Sequence, residues 1–161
     1  MTEPARAIPA PGVILALDIA TRTGWAASGG DGGVLDLSDD HNADYGRMGA
    51  LIGDWLADRI VTLQPARVVI ERPYIGNAPA QVYRLHGLVW TAHMVCWRHG
   101  IPRQEIMPSA WRKSIHGSGK LTTAEAKRRA KAWCAEHLGR RGLDDNEAEA
   151  RCILAWAEGA A

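Results

Sequence analysis

Asp18 and Glu71 each close a short apolar run, residues 13–17 (VILAL) and 68–70 (VVI), in a chain of 161 residues. A continuous apolar run of that length is the pattern of a strand buried on both faces. An acid at its end lies at the rim of a sheet, where ligand sites of open α/β folds gather. If the two strands are parallel neighbours, both carboxylates share one edge. Two anions a few ångströms apart at a low-dielectric rim repel strongly. They coexist with a shared proton or with a cation between them. Hard divalent ions such as Mg²⁺ take oxygen ligands, commonly one or two carboxylates together with water and a substrate phosphate. Either acid alone is equally explained as a strand-end residue capping a turn, as Asp18 would cap residues 19–23. The matched pair favours chemistry.

A third contribution is expected from the acid-rich segment Asp144-Asp145-Asn146-Glu147-Ala148-Glu149-Ala150. On a helix, Asp145 and Glu149 stand four apart and Asn146 and Glu149 three apart, so each pair shares a face. Ala148 and Ala150 let that helix pack close to a sheet. Acids in a first turn also complement the helix dipole, which accounts for Asp144, Asp145 and Glu147. It accounts less well for Glu149, which lies beyond the first turn beside the apolar residues 152–156.

The remaining sequence supplies the elements that must hold these groups. Residues 13–17, 23–27 and 33–37 read as three strands, with the Gly-rich residues 29–33 as a hairpin turn. Residues 45–63 carry Met48, Leu51, Ile52, Trp55, Leu56 and Ile60 at helical steps. Residues 67–71 form the next strand. Residues 78–99 form a long helix with Val82, Leu85, Leu88, Val89, Ala92 and Val95 on one side, closed by Gly100. A short strand follows near 104–107. Residues 108–123 are expected to be a loop with one helical turn at 109–113. Thr122-x-x-Glu125 and Asp144-x-x-Glu147 are capping patterns that open helices to about 138 and 156. The order implies a mixed sheet with helices on its faces, and the right-handed crossover rule makes the two acid-ended strands neighbours. Residues 1–12 are expected to be a flexible tail and 13–161 a single domain.

Composition restricts the class. The chain is 47% hydrophobic, which excludes a disordered polymer. It has no apolar run long enough for a membrane span and no apolar signal segment near Met1. A cytoplasmic protein is expected. Cys96, Cys134 and Cys152 are far apart in sequence, lack metal-ligand spacing, and read as free buried thiols. The net charge of +1 hides an uneven distribution: residues 103–141 hold ten Lys or Arg against three acids. Such a patch suits a polyanion, though a solvated helix face gives the same pattern.

With these residues in view, the sequence resembles the RuvC family of Holliday-junction resolvases in the RNase H-like superfamily, especially its shorter phage-type members. The resemblance spans residues 13–157. It rests on Leu15-Ala16-Leu17-Asp18-Ile19-Ala20-Thr21-Arg22-Thr23-Gly24-Trp25, on Val68-Val69-Ile70-Glu71, and on Asn146-Glu147-Ala148-Glu149-Ala150. It implies an RNase H-like, mixed five-stranded sheet flanked by helices on both faces. It also implies a crossover junction endonuclease of DNA recombination and repair, with two Mg²⁺ or Mn²⁺ ions per site. The family's first-strand Asp falls on Asp18, which would bridge the two ions, and its strand-four Glu falls on Glu71. Its last-helix Asp falls on Glu149, and the companion three residues earlier, usually Asp or His, falls on Asn146. These are two departures. Either Asp145 supplies a fourth acid beside Asp18, Glu71 and Glu149, or three carboxylates suffice with Asn146 as a neutral ligand, or cleavage is weakened.

The same resemblance makes Tyr74 a candidate for the aromatic that wedges into branched DNA. Arg112, Lys113, Lys120 and Lys127 become candidates for phosphate contact, with Lys127 nearest the metal. It implies a homodimer acting on a four-way junction, for which residues 78–99 with Trp90 and Trp97 are a candidate surface, unless those residues belong to the core. Two rivals stand. One is an actin-like or sugar-kinase-type nucleotide-binding fragment, against which residues 19–24 hold only one glycine. The other is a junction-binding module of the same fold that has lost cleavage.

Overall fold

The computed structural model describes residues 12–38, 44–73, 76 and 78–159. Its elements run β1 (Ile14–Asp18), β2 (Arg22–Ala27), β3 (Gly32–Asp36), α1 (Tyr45–Leu63), β4 (Arg67–Glu71), α2 (Pro79–Arg98), β5 (Arg103–Ile106), α3 (Pro108–His116), α4 (Thr123–His137) and α5 (Asp145–Ala157). The five strands form one sheet in the order β3-β2-β1-β4-β5. The pairs β1–β2 and β2–β3 are antiparallel, while β1–β4 and β4–β5 are parallel. The mixed sheet and the adjacency of the two acid-ended strands agree with the sequence expectation.

Alternation along the strands divides the core into two layers. Leu15, Leu17, Val68 and Ile70 pack with Ile52 and Leu56 of α1 and with Leu88, Val89 and Ala92 of α2. Ile14, Ala16 and Val69 face the other way, onto Trp111 of α3, Ala130 and Cys134 of α4, and Ala148, Cys152 and Ile153 of α5. Helices therefore cover both faces.

Local signals set the helix ends. Thr122 accepts a hydrogen bond from the Glu125 amide and Asp144 from the Asn146 amide, as N-caps do. Residues 108–116 differ from the expected single turn, forming a helix of nine residues. Pro108 is preset for a first helical position, Gly117 closes the end at φ 75°, and Trp111 is fully buried beneath the helix. Tertiary burial stabilises a segment that periodicity alone leaves ambiguous. All three cysteines are free and buried, as expected. Cys134 of α4 donates from its Sγ to the Ala148 carbonyl of α5 at 3.7 Å, because α4 packs on α5.

Candidate active site

Leu17 of β1 pairs with Ile70 of β4. One step further, Asp18 and Glu71 end their strands side by side. Alternation turns both toward the face occupied by α5, because Asp18 follows the parity of Ile14 and Ala16, and Glu71 that of Val69. Glu149 approaches from α5 and is only 4% exposed, and Asp18 is 7% exposed. Three carboxylates thus converge on one rim of the sheet.

Their electrostatics express that crowding. Burial drives the Asp18 carboxyl well above the usual carboxylate range. The charges of Glu71 and Glu149 push the same way, and Glu71 also favours the protonated form by hydrogen bonding, while Lys127 opposes them. Glu149 is pushed up to about 7, first by burial and then by the charge of Glu71, with Arg112 and Lys127 pulling it down. Arg112 Nη2 lies 3.2 Å from Glu149 Oε1. The Nε of Arg112 is buried without a hydrogen-bond partner, so the guanidinium retains donor capacity.

The turn after Asp18 is held by Thr23, whose buried Oγ1 donates to the Ala20 carbonyl at 2.7 Å. The N-terminus of α5 is fixed by Arg22, whose guanidinium joins Asp36 to the capping Asp144. Arg151, buried on α5, pairs with Glu147 and donates to the Gly30 carbonyl in the β2–β3 turn. These ties set the depth at which Glu149 meets the sheet.

The other candidates are placed as follows. Asp145 is engaged by Lys131 at 2.6 Å and by Lys127 at 3.8 Å, and it is not among the groups that perturb Asp18 or Glu149. Asn146 sits in the first turn of α5, its backbone pressed against Gly24 of β2. Lys113 and Lys120 are exposed, and Lys127 is half-buried. Tyr74 lies outside the described residues. Sequence reasoning missed Trp111, whose Nε1 donates to Glu71 Oε1 at 2.7 Å. It also missed Lys131. The signal for Trp111 was a large aromatic three residues after Pro108, in a stretch read as loop.

Among the described residues, no three His, Cys, Asp or Glu side chains form a ready-made cage for an ion. The donor chemistry fits a hard divalent cation all the same. Asp18, Glu71 and Glu149 offer only oxygen ligands, and the Asp18 and Glu149 carboxyls are disfavoured as anions until positive charge arrives.

No protein-family model matches the chain, and no curated protein matches it by sequence. Solved structures do. Thermus thermophilus RuvC in complex with a Holliday-junction substrate superposes with a TM-score of 0.73 at 14% identity, covering 93% of this chain and 97% of that one. A second T. thermophilus RuvC structure gives 0.69 at 13% identity, covering 91% and 96%. The yeast mitochondrial Holliday-junction resolvase Ydc2 gives 0.56 at 12% identity, covering 87% and 75%. At these identities the likeness establishes the fold, which is RNase H-like. No helix among the described residues is long and apolar enough to cross a membrane.

Proposed function

We propose that this protein is a metal-dependent endonuclease that cuts phosphodiesters in branched DNA, with a four-way junction as substrate. The observation that carries the proposal is the convergence of Asp18, Glu71 and Glu149 on one sheet rim. Two of those acids are buried and have carboxyls pushed toward neutrality. Divalent ions bound by such a set supply an activated water and a stabilised leaving 3′-oxygen. Asp18, Glu71 and Glu149 are the ligands of choice. Asp145, Asn146 or water completes the set, with Asp145 first having to leave Lys131. Arg112 and Lys127, which face the carboxylate cluster, are suited to hold phosphate at the rim. Lys113 and Lys120 extend the positive surface. The similarity in fold to a RuvC solved with a Holliday junction supports branched DNA as substrate.

A homodimer belongs to this proposal. Tyr83, Gly87, Trp90, Met94 and Trp97 are all exposed and recur along α2 at steps of four and three, the spacing of a helix-pairing seam. The three aromatics are 72%, 74% and 70% exposed, so Trp90 and Trp97 are not monomer core. A contiguous apolar stripe of this kind marks an association surface.

The test is a labelled four-way junction incubated with Mg²⁺ or Mn²⁺ beside linear duplex and RNA–DNA hybrid. Cleavage confined to the junction is expected. Asp18→Asn should lower it by at least ~10³-fold, a large part of what bound metal contributes, and leave junction binding within about twofold. Junction binding without cleavage in either metal favours the binding module. Loss of binding in Asp18→Asn would make Asp18 structural.

A further inference from the structure

Glu149 and Glu71 are held in different ways. Glu149 is balanced by a cation, Arg112. Glu71 is held by a neutral donor, the indole N–H of Trp111 at 2.7 Å. A buried indole N–H needs an acceptor, and a backbone carbonyl would satisfy it fully. Burial requires an acceptor for the Trp111 N–H but does not require that it be a carboxylate of the site.

The ring itself is firmly placed. Trp111 is fully buried. The His116 ring meets it edge-on at 5.5 Å, and the Arg112 guanidinium lies 5.3 Å from its centre. The end of α3 is tied to α4 by Arg129, which donates to the His116 carbonyl at 3.1 Å. At the start of α3, the Ser109 carbonyl would come within 2.7 Å of a Cβ on Gly119, so the following loop is packed against the helix. The donor that fixes Glu71 thus cannot drift. Its second property is neutrality: a Lys or Arg at this place would orient the carboxylate and also cancel its charge. An indole orients it and leaves the charge for a cation.

We infer that Trp111 is a positioning residue for Glu71, presenting its carboxylate to a divalent ion through the Nε1–Oε1 hydrogen bond. The inference rests on the metal-nuclease function proposed above and adds a residue to it. Partners that orient metal-ligating carboxylates raise affinity by roughly 10- to 100-fold. Trp111→Phe keeps an aromatic ring in the core and removes the donor.

The experiment is isothermal titration of the full chain with Mn²⁺, wild type against Trp111→Phe, with thermal unfolding recorded on both without metal. The Mn²⁺ dissociation constant should rise ~10-fold or more in the variant, and the metal concentration giving half-maximal junction cleavage should rise by the same factor. Should Trp111→Phe fail to fold, benzothienylalanine at position 111 keeps the bicyclic shape, lacks the donor, and should give the same shift. Lower thermal stability with an unchanged Mn²⁺ constant would overturn the inference, leaving Trp111 as core alone. A wild type that binds no Mn²⁺ would overturn the metal function and this inference together.

Discussion

A carboxylate buried at the rim of a sheet makes stability depend on pH, and here the sign is the reverse of the usual one. A salt-bridged surface acid stabilises the fold when ionised. Glu149, by contrast, is raised from 4.5 to about 7, by burial first and by the charge of Glu71 second, and the Asp18 carboxyl is raised for the same causes. Between pH 4.5 and about 7 the folded chain keeps a proton on Glu149 that the unfolded chain has released. Stability contributed by this group is therefore present at low pH and lost as pH rises through that window. For Glu149 the loss is on the order of 3 kcal/mol, and Asp18 acts in the same direction. The metal-free protein should unfold at a lower temperature at pH 8 than at pH 5.5. Glu149→Gln should reduce the difference, because the amide has no proton to lose across that window. Saturating Mg²⁺ should raise the unfolding temperature at pH 8 far more than at pH 5.5, because the ion replaces the missing proton. Unfolding scans at the two pH values, with and without metal, measure both effects. Equal metal stabilisation at both pH values would mean that the carboxyls are not the ligands.

At the scale of elements, the site depends on how closely α5 lies on β2. Gly24 permits that approach: a Cβ there would stand 2.0 Å from the Asn146 carbonyl oxygen and 2.8 Å from the Glu147 amide nitrogen. Both obstacles are backbone, so no side chain can turn aside. Gly24→Ala must push the N-terminus of α5 off the sheet, against the Arg22–Asp144 tie and the Arg151 clamp on Gly30. Overpacking of this severity costs about 3 kcal/mol, and Glu149 moves with the helix. The variant should lose thermal stability and lose cleavage by more than its folded fraction explains, both read from one preparation. The same contact indicates what the sequence can and cannot display. Continuous apolar runs ending in acids reveal β1 and β4, and capping patterns reveal α4 and α5, because those signals are local. Gly24 stands out as a lone glycine after Asp18, but that its missing side chain makes room for Asn146 is a contact across 122 positions. Trp111 was hidden for a related reason. Its partner Glu71 is distant in the chain, and α3 gains its length from burying that ring. The engagement of Asp145 by Lys131 likewise depends on how α4 packs against α5.

At the scale of the molecule, the two covered faces of the sheet divide the labour. The carboxylates turn toward α3, α4 and α5, and the exposed aromatic stripe lies on α2, which covers the opposite face. Pairing through α2 would leave both sites open, and a two-fold relation between copies would present them to two strands of a symmetric junction. Gly87 strengthens the case. It lies mid-helix, where glycine costs about 1 kcal/mol relative to alanine. A Cβ there would meet nothing within 4 Å, so no contact inside the described chain requires its absence. Close approach by a second helix would. Trp90→Glu places a charge at the centre of the stripe, on a side chain 74% exposed in the monomer, so it should leave the fold and unfolding temperature nearly unchanged. Sedimentation at micromolar concentration should show a dimer for the wild type and a monomer for Trp90→Glu. If the copies act together, the variant's junction products should shift from paired cuts to single nicks. A wild type that sediments as a monomer, or a Trp90→Glu protein that remains dimeric, would remove α2 as the pairing surface.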